Sequence, residues 1–262
     1  VQGLAGATYE IKAAADIYTP DGTLRCSAGE VVDTVTTGAD GMAESKPLYL
    51  GKYEITEMKA PDGMVINKDA HTAELVYAGQ EIEVTETSAS FYNDRQKVLV
   101  SLDKVMEQNE KFGIGMNGEI TVVTFGLYAK EDLTAADGSI IPAGGLLEIL
   151  SVDENGLSAC KTDLPFGSYY VKERTTNSAY ILSDTEYPVV FEYAGQDAAL
   201  VQILVNEGEP ISNDLLRGRV DGVKVGENPE GGDDVKLSGA LIGLFQPDTE
   251  EFTEENALLT VT

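Results

Sequence analysis

The sequence predicts an all-β protein built from antiparallel β-sandwiches in tandem. Short segments of alternating apolar and polar residues are separated by turn signals such as Asp21-Gly22 and Asn155-Gly156, which is typical of sandwiches rather than helical folds. The pattern also recurs at a constant offset of 116 residues, between positions 57 and 173 for example. Solenoid units are typically about 20–50 residues long, so a repeat of this length indicates whole domains.

The repeat is clearest in a strand that ends in a glutamate. Gly51–Glu57 reads GKYEITE, and Gly167–Glu173 reads GSYYVKE. Alternate residues of a strand point to one face, so each glutamate shares the apolar face with the preceding tyrosine. Burying an ionised carboxylate is costly unless it gains a partner, so a repeated inward glutamate calls for a chemical explanation.

Two further pairs extend the repeat along the chain and define three domains. Asp21-Gly22 precedes Asp137-Gly138 by 116 residues, and the Tyr-Ala-Gly-Gln sequence at 77–80 recurs at 193–196. The predicted domains are 1–95, which lacks its first strand; 96–213, which is complete; and 214–262, the N-terminal part of a third copy. The junctions at 94–96 and 212–214 are short and polar, so we expect neighbouring domains to stand end to end with limited swing.

The second copy places three reactive residue types on inward positions. Its opening strand, Val98–Lys104, directs Lys104 to the same face as its valines, and the strand Leu200–Asn206 directs Asn206 inward beside Leu204. Together with Glu173, these positions form a predicted lysine, glutamate and asparagine cluster. The alternative is a buried ion pair with a hydrogen-bonded amide, or side chains that face solvent because the strand phase differs.

The other two copies carry parts of the same cluster. The first has Glu57 and a last strand that ends at Asn93, but its N-terminal segment, which we align with 124–128, puts the equivalent lysine before Val1. The third has Lys224 in the place of Lys104 and no partners. Strand addition of the Lys224 segment of one molecule to the open first domain of another accounts for these facts. A chain cut from a longer protein accounts for them without a second molecule, so a monomer is favoured.

Composition excludes several functional classes. The formal charge of −27 disfavours binding to nucleic acids and to anionic membranes. No apolar run is long enough to cross a membrane, no signal peptide is recognisable, and the chain is expected to be a piece of a longer protein. Cys26 and Cys160 lie at non-equivalent positions, which predicts two free or buried thiols. A single histidine, His71, makes a catalytic triad or a multi-histidine metal site unfavourable, and Asp153–Gly156 has turn rather than calcium-loop spacing. We expect neither a cofactor nor a metal.

The segment Gly51–Gly63, with the pattern Gly-x-Tyr-x-x-x-Glu-x-x-Ala-Pro-x-Gly, resembles the E-box of CnaB or SpaA-type domains of Gram-positive pilins and surface adhesins. The stretch Leu164–Glu173 is similar, as are the openings Leu4–Tyr9 and Leu237–Phe245, although Arg174–Ala179 departs from the pattern. The resemblance implies a prealbumin-like, Ig-like β-sandwich and an extracellular, cell wall-anchored stalk whose anchor lies outside this sequence.

The resemblance further implies a spontaneous Lys–Asn isopeptide bond, with Lys104 as amine, Asn206 as acceptor amide and Glu173 as E-box acid. Glu57 would be the corresponding acid of the first copy, and Asn93 and Lys224 would be unpaired participants. Desolvation would lower the lysine pKa, and a protonated Glu173 would donate a hydrogen bond to the amide carbonyl. The implied function is a structural stalk, with one self-directed turnover instead of enzymatic activity. The alternative is an adhesin module that contacts a host matrix protein or glycan; other regions of the full protein could also make such contacts.

Overall fold

The computed structural model describes residues 3–134 and 138–262. Val1-Gln2, in the predicted alignment of the first copy, and Asp137, in the predicted Asp137-Gly138 turn, lie outside the described residues. Contacts divide the chain into two compact units, Val1–Leu215 and Leu216–Thr262. The first two predicted domains therefore lie in one unit, and the three-domain division stays a prediction. The secondary structure described is almost entirely β, with three short 3₁₀ helices at Glu110–Phe112, Glu119–Val122 and Val205–Gly208.

The first repeat, residues 3–96, contains one four-stranded antiparallel sheet with strand order β4-β1-β5-β6. A two-stranded hairpin, β2-β3, packs beside it. The strands are β1 (Thr8–Ala13), β2 (Ile17–Tyr18), β3 (Leu24–Cys26), β4 (Val31–Thr36), β5 (Gly51–Lys59) and β6 (His71–Leu75). The core is small, and it centres on Tyr53, which is 1% exposed.

The second repeat, residues 97–215, contains two four-stranded sheets. One is antiparallel, with strand order β11-β8-β13-β14. The other has the order β12-β7-β15, and β16 also pairs with β7. The strands are β7 (Lys97–Met106), β8 (Thr124–Ala129), β9 (Leu133–Thr134), β10 (Ile140–Ile141), β11 (Leu146–Ser151), β12 (Leu157–Ala159), β13 (Gly167–Thr175), β14 (Glu186–Phe191), β15 (Leu200–Leu204) and β16 (Ile211–Asn213).

Two pairings in the second sheet differ from the predicted antiparallel arrangement. Both β15 and β16 run parallel to β7. Two parallel neighbouring strands require a long connection between them. Here the connection from β7 to β15 contains strands β8 to β14. The first and last strands of the repeat are therefore neighbours that run in the same direction.

The predicted inward face of the glutamate strands is confirmed. In β13, Tyr169, Val171 and Glu173 are all buried, while intervening residues are more exposed. The same alternation buries Val100, Leu102 and Lys104 of β7. These two strands belong to facing sheets, so their inward side chains share one core. That arrangement brings a lysine and a glutamate into the same apolar interior.

The last strand of the second repeat is not the predicted one. Strand β15 ends at Leu204, and Asn206 and Glu207 follow in left-handed conformations with φ of 57° each. Asparagine tolerates this conformation better than most residues, so the turn is compatible with the sequence. The strand phase also differs from the predicted one, because Val201, Ile203 and Val205 pack inward and Leu204 is 57% exposed. The chain then forms β16, which is the strand that closes the repeat.

The unit Leu216–Thr262 forms two short hairpins. One joins β17 (Val225–Gly226) to β18 (Val235–Lys236), and the other joins β19 (Ile242–Leu244) to β20 (Leu259–Val261). No side chain between 216 and 262, all of them described, is buried. These residues therefore do not form a sandwich core of their own.

Two further expectations from the sequence can be compared with the structure. Cys26 and Cys160 are both free and buried, as predicted. The predicted turn at Asp153 is also confirmed, because its Oδ1 accepts hydrogen bonds from the backbone N–H groups of Asn155 and Leu157. Among the described residues, no helix combines the length and apolar character needed to cross a membrane.

Candidate functional site

Glu173 occupies the centre of a buried site in the second repeat. It lies in β13 opposite Phe125 of β8 and is 4% exposed. Its Oε2 accepts hydrogen bonds from Asn213 Nδ2 at 2.9 Å and from the backbone N–H of Ser183 at 2.8 Å. Its Oε1 is buried and has no hydrogen-bond partner among the described residues. A buried oxygen without a partner is costly, so it marks a site whose chemistry differs from ordinary packing.

Asn213 is the amide that contacts this glutamate. It lies in β16 and is 2% exposed. Its Nδ2 also donates to Ile181 O at 2.7 Å, and its Oδ1 accepts from Thr176 Oγ1 at 3.4 Å. The NH₂ group therefore faces Glu173, whereas the sequence-based hypothesis had the glutamate donate to the amide carbonyl.

Lys104 reaches the same interior from β7. It is 1% exposed, and its Nζ donates to Val105 O at 2.6 Å and Ile211 O at 3.0 Å. Burial removes the ammonium from water and lowers the pKa of Lys104 to about 8, against the opposing effect of the negative charge of Glu173. Ile211 is the register partner of Lys104 in the parallel β7–β16 pair. Asn213 lies two residues after Ile211 in β16, so the side chains of Ile211 and Asn213 point to the same face of the sheet.

Asn206, the predicted acceptor, lies elsewhere. It is in the 3₁₀ turn after β15, is partly exposed, and donates its Nδ2 to Glu209 O at 3.0 Å. The structure therefore puts Asn213, not Asn206, beside Glu173. A sequence signal could have found it: Asn-Asp occurs at 93–94 and again at 213–214. The offset between these pairs is 120 rather than 116, because the second repeat has four more residues before its last strand.

The first repeat contains the same glutamate and asparagine arrangement. Glu57 Oε2 accepts from Asn93 Nδ2 at 2.7 Å and from the backbone N–H of Asn67 at 2.7 Å. Asn93 Nδ2 also donates to Val65 O at 3.0 Å. Glu57 and Asn93, both named as candidates from the sequence, are thus hydrogen-bonded in the structure. In residues 3–134 and 138–262, no lysine forms an ion pair with Glu57.

One difference separates the two glutamates. Tyr9 lies opposite Glu57 in the strand register, and its hydroxyl donates to Glu57 Oε1 at 3.5 Å. Burial, together with the charge of Glu57, raises the pKa of Tyr9 to about 12. Phe125 takes the corresponding place opposite Glu173 and has no hydroxyl to donate. Among the described residues, Glu173 Oε1 therefore has no equivalent of the Tyr9 hydroxyl.

Lys224 is not part of a comparable site in its own unit. It is exposed and precedes β17, and its carbonyl accepts from the backbone N–H of Leu237 at 2.9 Å. Since residues 216–262 contain no buried side chain, they offer Lys224 no desolvated glutamate and asparagine pair. Its predicted role as an amine donor therefore stays a prediction.

Comparison with known proteins identifies the type of domain. The family model for the SpaA domain, described as a prealbumin-like fold domain, matches residues 1–89. Residues 1–89 are thus similar to a SpaA domain. The match includes the E-box strand with Glu57 and ends before Asn93.

Proteins similar to this chain are found in Streptococcus and Bacillus species. The trypsin-resistant surface T6 protein of Streptococcus pyogenes is 31% identical over 81 residues, which cover 30% of this chain and 15% of the T6 protein. Among solved structures, the Bacillus anthracis TIE protein matches with 17% identity and a TM-score of 0.48, covering 90% of this chain and 38% of that one. GBS52, the minor pilin of Streptococcus agalactiae, matches with 17% identity and a TM-score of 0.32, covering 85% and 88%. The chain thus spans less than half of the T6 and TIE proteins.

Proposed function

We propose that the second repeat forms an intramolecular isopeptide bond between Lys104 and Asn213, promoted by Glu173, and that the protein is a structural stalk segment of a bacterial surface protein. The observation that carries the proposal is the burial of these three side chains in one apolar interior, each at most 4% exposed, with Asn213 hydrogen-bonded to Glu173. An ammonium, a carboxyl group and an amide are seldom buried together without a structural or chemical role.

The lowered pKa of Lys104 is the first requirement of the reaction. An ammonium is not a nucleophile, and a pKa of about 8 makes the free amine accessible near neutral pH. In the proposed step, the Lys104 ammonium transfers a proton to Glu173 Oε1, which accepts no other hydrogen bond among the described residues. The free amine then attacks Cγ of Asn213.

The leaving group is ammonia, and Glu173 supplies the proton that it needs to leave. Asn213 Nδ2 faces Glu173 at 2.9 Å, so the proton held by Glu173 can pass to Nδ2 as the Cγ–Nδ2 bond breaks. The lysine nitrogen gives up one more proton and becomes the amide N–H. The products are the Lys104–Asn213 amide and one ammonium ion, and Glu173 returns to its starting state. The reaction is a single turnover, and we propose no enzymatic activity on other substrates.

Positioning of the reacting groups lowers the barrier that keeps an amide inert in solution. Groups held in contact by a folded scaffold can react with effective molarities of about 10⁵–10⁸ M. Here the scaffold is the parallel pairing of β7 with β16, which fixes Lys104 and Asn213 on one face. The bond would therefore form after folding.

The same strand pairing supports the stalk role. The chain enters the second repeat through β7 and leaves it through β16, and these strands are parallel neighbours. A force that pulls on both ends loads this pair in shear, and a covalent bond between the strands would carry that force without extending the sandwich. An extracellular position at the bacterial surface, attachment to the cell wall and association with other surface chains are proposed from the surface and pilus relatives.

Intact mass spectrometry of the full chain tests the bond. The proposal predicts a mass that is lower than the sequence mass by one ammonia. The variants Lys104→Met and Glu173→Ala should each recover the full mass expected for their sequences. A wild-type chain of unshifted mass would contradict the proposed reaction and leave a buried, unreacted cluster as the alternative.

A further inference from the structure

We propose that the Tyr77–Gln80 turn of the first repeat is a docking surface for another SpaA-type sandwich that precedes it in the same polypeptide. The surface would bind the loop that follows the E-box strand of that sandwich. This inference goes beyond the stalk function and does not depend on the isopeptide bond. It rests on the contact that the equivalent turn of the second repeat makes with the first.

The Tyr193–Gln196 turn of the second repeat binds mainly to backbone atoms of the first repeat. Gln196 accepts a hydrogen bond from the backbone N–H of Ala60 on its side-chain Oε1 and one from the backbone N–H of Ile66 on its carbonyl, both at 2.9 Å. Its Nε2 donates to Met58 O at 3.3 Å. These partners belong to the end of β5 and the loop that follows it. Since the loop offers backbone groups, the contact does not require a particular sequence there.

Aromatic and charged side chains complete the contact. The Tyr193 hydroxyl donates to Met64 O at 3.0 Å. The Phe166 ring, which lies edge-on to the Tyr193 ring of its own repeat, lies against Gly63 of the first repeat, where an added Cβ would be 3.1 Å from it. At the rim, Lys68 and Asp197 form an ion pair at 3.1 Å. The turn thus combines an aromatic contact, a glutamine clamp and an acidic residue.

The turn of the first repeat has the same conformation. Gly79 and Gly195 both adopt positive φ values, 114° and 94°. The backbone N–H of Ile82 donates to Gly79 O at 3.2 Å, and that of Ala198 donates to Gly195 O at 3.4 Å. The first repeat therefore presents the same turn in the same shape.

The first repeat also carries the side chains that make the contact, and they are exposed. Tyr77, the equivalent of Tyr193, is 68% exposed, and Leu50, the equivalent of Phe166, is 46% exposed. Glu81 occupies the position equivalent to Asp197, so the acidic rim residue is present as well. Two apolar side chains, a turn glutamine and an acidic residue reproduce the surface with which the second repeat binds the first. A preceding sandwich is the partner that this surface fits.

Zero-length carbodiimide cross-linking tests the proposal on an extended chain. Residues 1–116, one full repeat length, are duplicated ahead of the complete 262-residue chain. The Lys68–Asp197 pair should cross-link in both chains, which serves as the positive control. A Lys68–Glu81 link should form in the extended chain, be absent in the original chain, and be lost when Lys68→Arg is introduced in the inserted copy alone. Its absence, with the control link formed and the inserted repeat resistant to limited proteolysis, would overturn the proposal.

A second test uses the original chain and does not depend on folding of the insert. If Leu50 and Tyr77 form a docking surface, Leu50→Ser and Tyr77→Ser should leave the melting temperature unchanged. The matched variant Tyr193→Ser, which removes the hydroxyl that donates to Met64 O across the existing junction, should lower it. A fall in melting temperature for the Leu50 and Tyr77 variants would show that these side chains serve their own repeat, and would overturn the proposal.

Discussion

Asn213 donates its side-chain NH₂ to Glu173 Oε2 over 2.9 Å, and the same contact joins Asn93 to Glu57 over 2.7 Å in the first repeat. The two repeats thus share one polar element at equivalent places in their cores. They differ in what reaches the other glutamate oxygen. In the first repeat it is the Tyr9 hydroxyl, and in the second the oxygen has no hydrogen-bond partner among the described residues.

Substitution Phe125→Tyr is predicted to slow bond formation. It places a hydroxyl where Tyr9 has one in the first repeat, and this hydroxyl would occupy the Glu173 oxygen that we assign to the Lys104 proton. We expect a measurable fraction of unreacted full-mass protein in freshly purified samples. Tyr9→Phe is the matched control, and it should leave the ammonia loss of the chain unchanged. If the Phe125→Tyr variant reacts as completely as the wild type, Glu173 Oε1 does not accept the Lys104 proton.

The titration of Lys104 predicts a pH dependence of stability in a chain that cannot react. In Asn213→Ala, the folded pKa of Lys104 of about 8 lies below its ordinary 10.5, so burial of the charged form costs stability. This cost is full below pH 8 and is relieved as pH rises from 8 towards 10.5, because the unfolded chain then binds the extra proton. The unfolding free energy should rise by about 1–3 kcal/mol over this window.

The control for this measurement is the double variant Lys104→Met with Asn213→Ala, which has no amine to titrate. Denaturant unfolding followed by circular dichroism suits both variants, since the chain contains no tryptophan. If the two variants show equal pH profiles between 8 and 10, Lys104 does not carry the depressed pKa.

Loss of the bond is predicted to destabilise the second repeat substantially. A bond between residues 104 and 213 closes a loop of roughly 110 residues, for which the chain-entropy model of cross-links gives about 4–5 kcal/mol. Thermal unfolding should show a lower midpoint for Asn213→Ala than for the wild type. Lys104→Met should lose less, because it also removes a buried amine. Asn206→Gly, which keeps the left-handed turn, should unfold nearly like the wild type, and equal losses at Asn206 and Asn213 would contradict the assignment.

The junction between the two repeats is predicted to depend on Gln96. This side chain is fully buried; its Nε2 donates to Gly195 O and Ala198 O, and its Oε1 accepts from the backbone N–H of Ala194. Gln96→Ala would leave these groups without partners at a cost of about 1–3 kcal/mol. We expect a lower melting temperature and a reduced yield of the carbodiimide cross-link across the junction. Lys97→Ala, at an exposed neighbouring position, is the control and should change neither.

Much of this arrangement follows from local rules that the sequence displays. The alternation of apolar residues placed Lys104 and Glu173 on inward faces correctly, because strand side chains alternate without exception along an unbroken strand. The choice of Asn206 failed because Leu204 was assigned to the inward face, whereas Val201, Ile203 and Val205 occupy it. The strand then ends in a left-handed turn at Asn206 and Glu207. The parallel pairing of β7 with β15 and β16 depends on long-range topology, which a local pattern does not encode.

Peptide mapping by tandem mass spectrometry of the proteolysed full chain is the direct test of the Lys104–Asn213 bond. We expect one cross-linked species that joins the peptide containing Lys104 to the peptide containing Asn213, with the mass of one ammonia missing. The variant Glu173→Ala should abolish this species. Recovery of both peptides only in unlinked form, or a link from Lys104 to Asn206, would contradict the proposed bond.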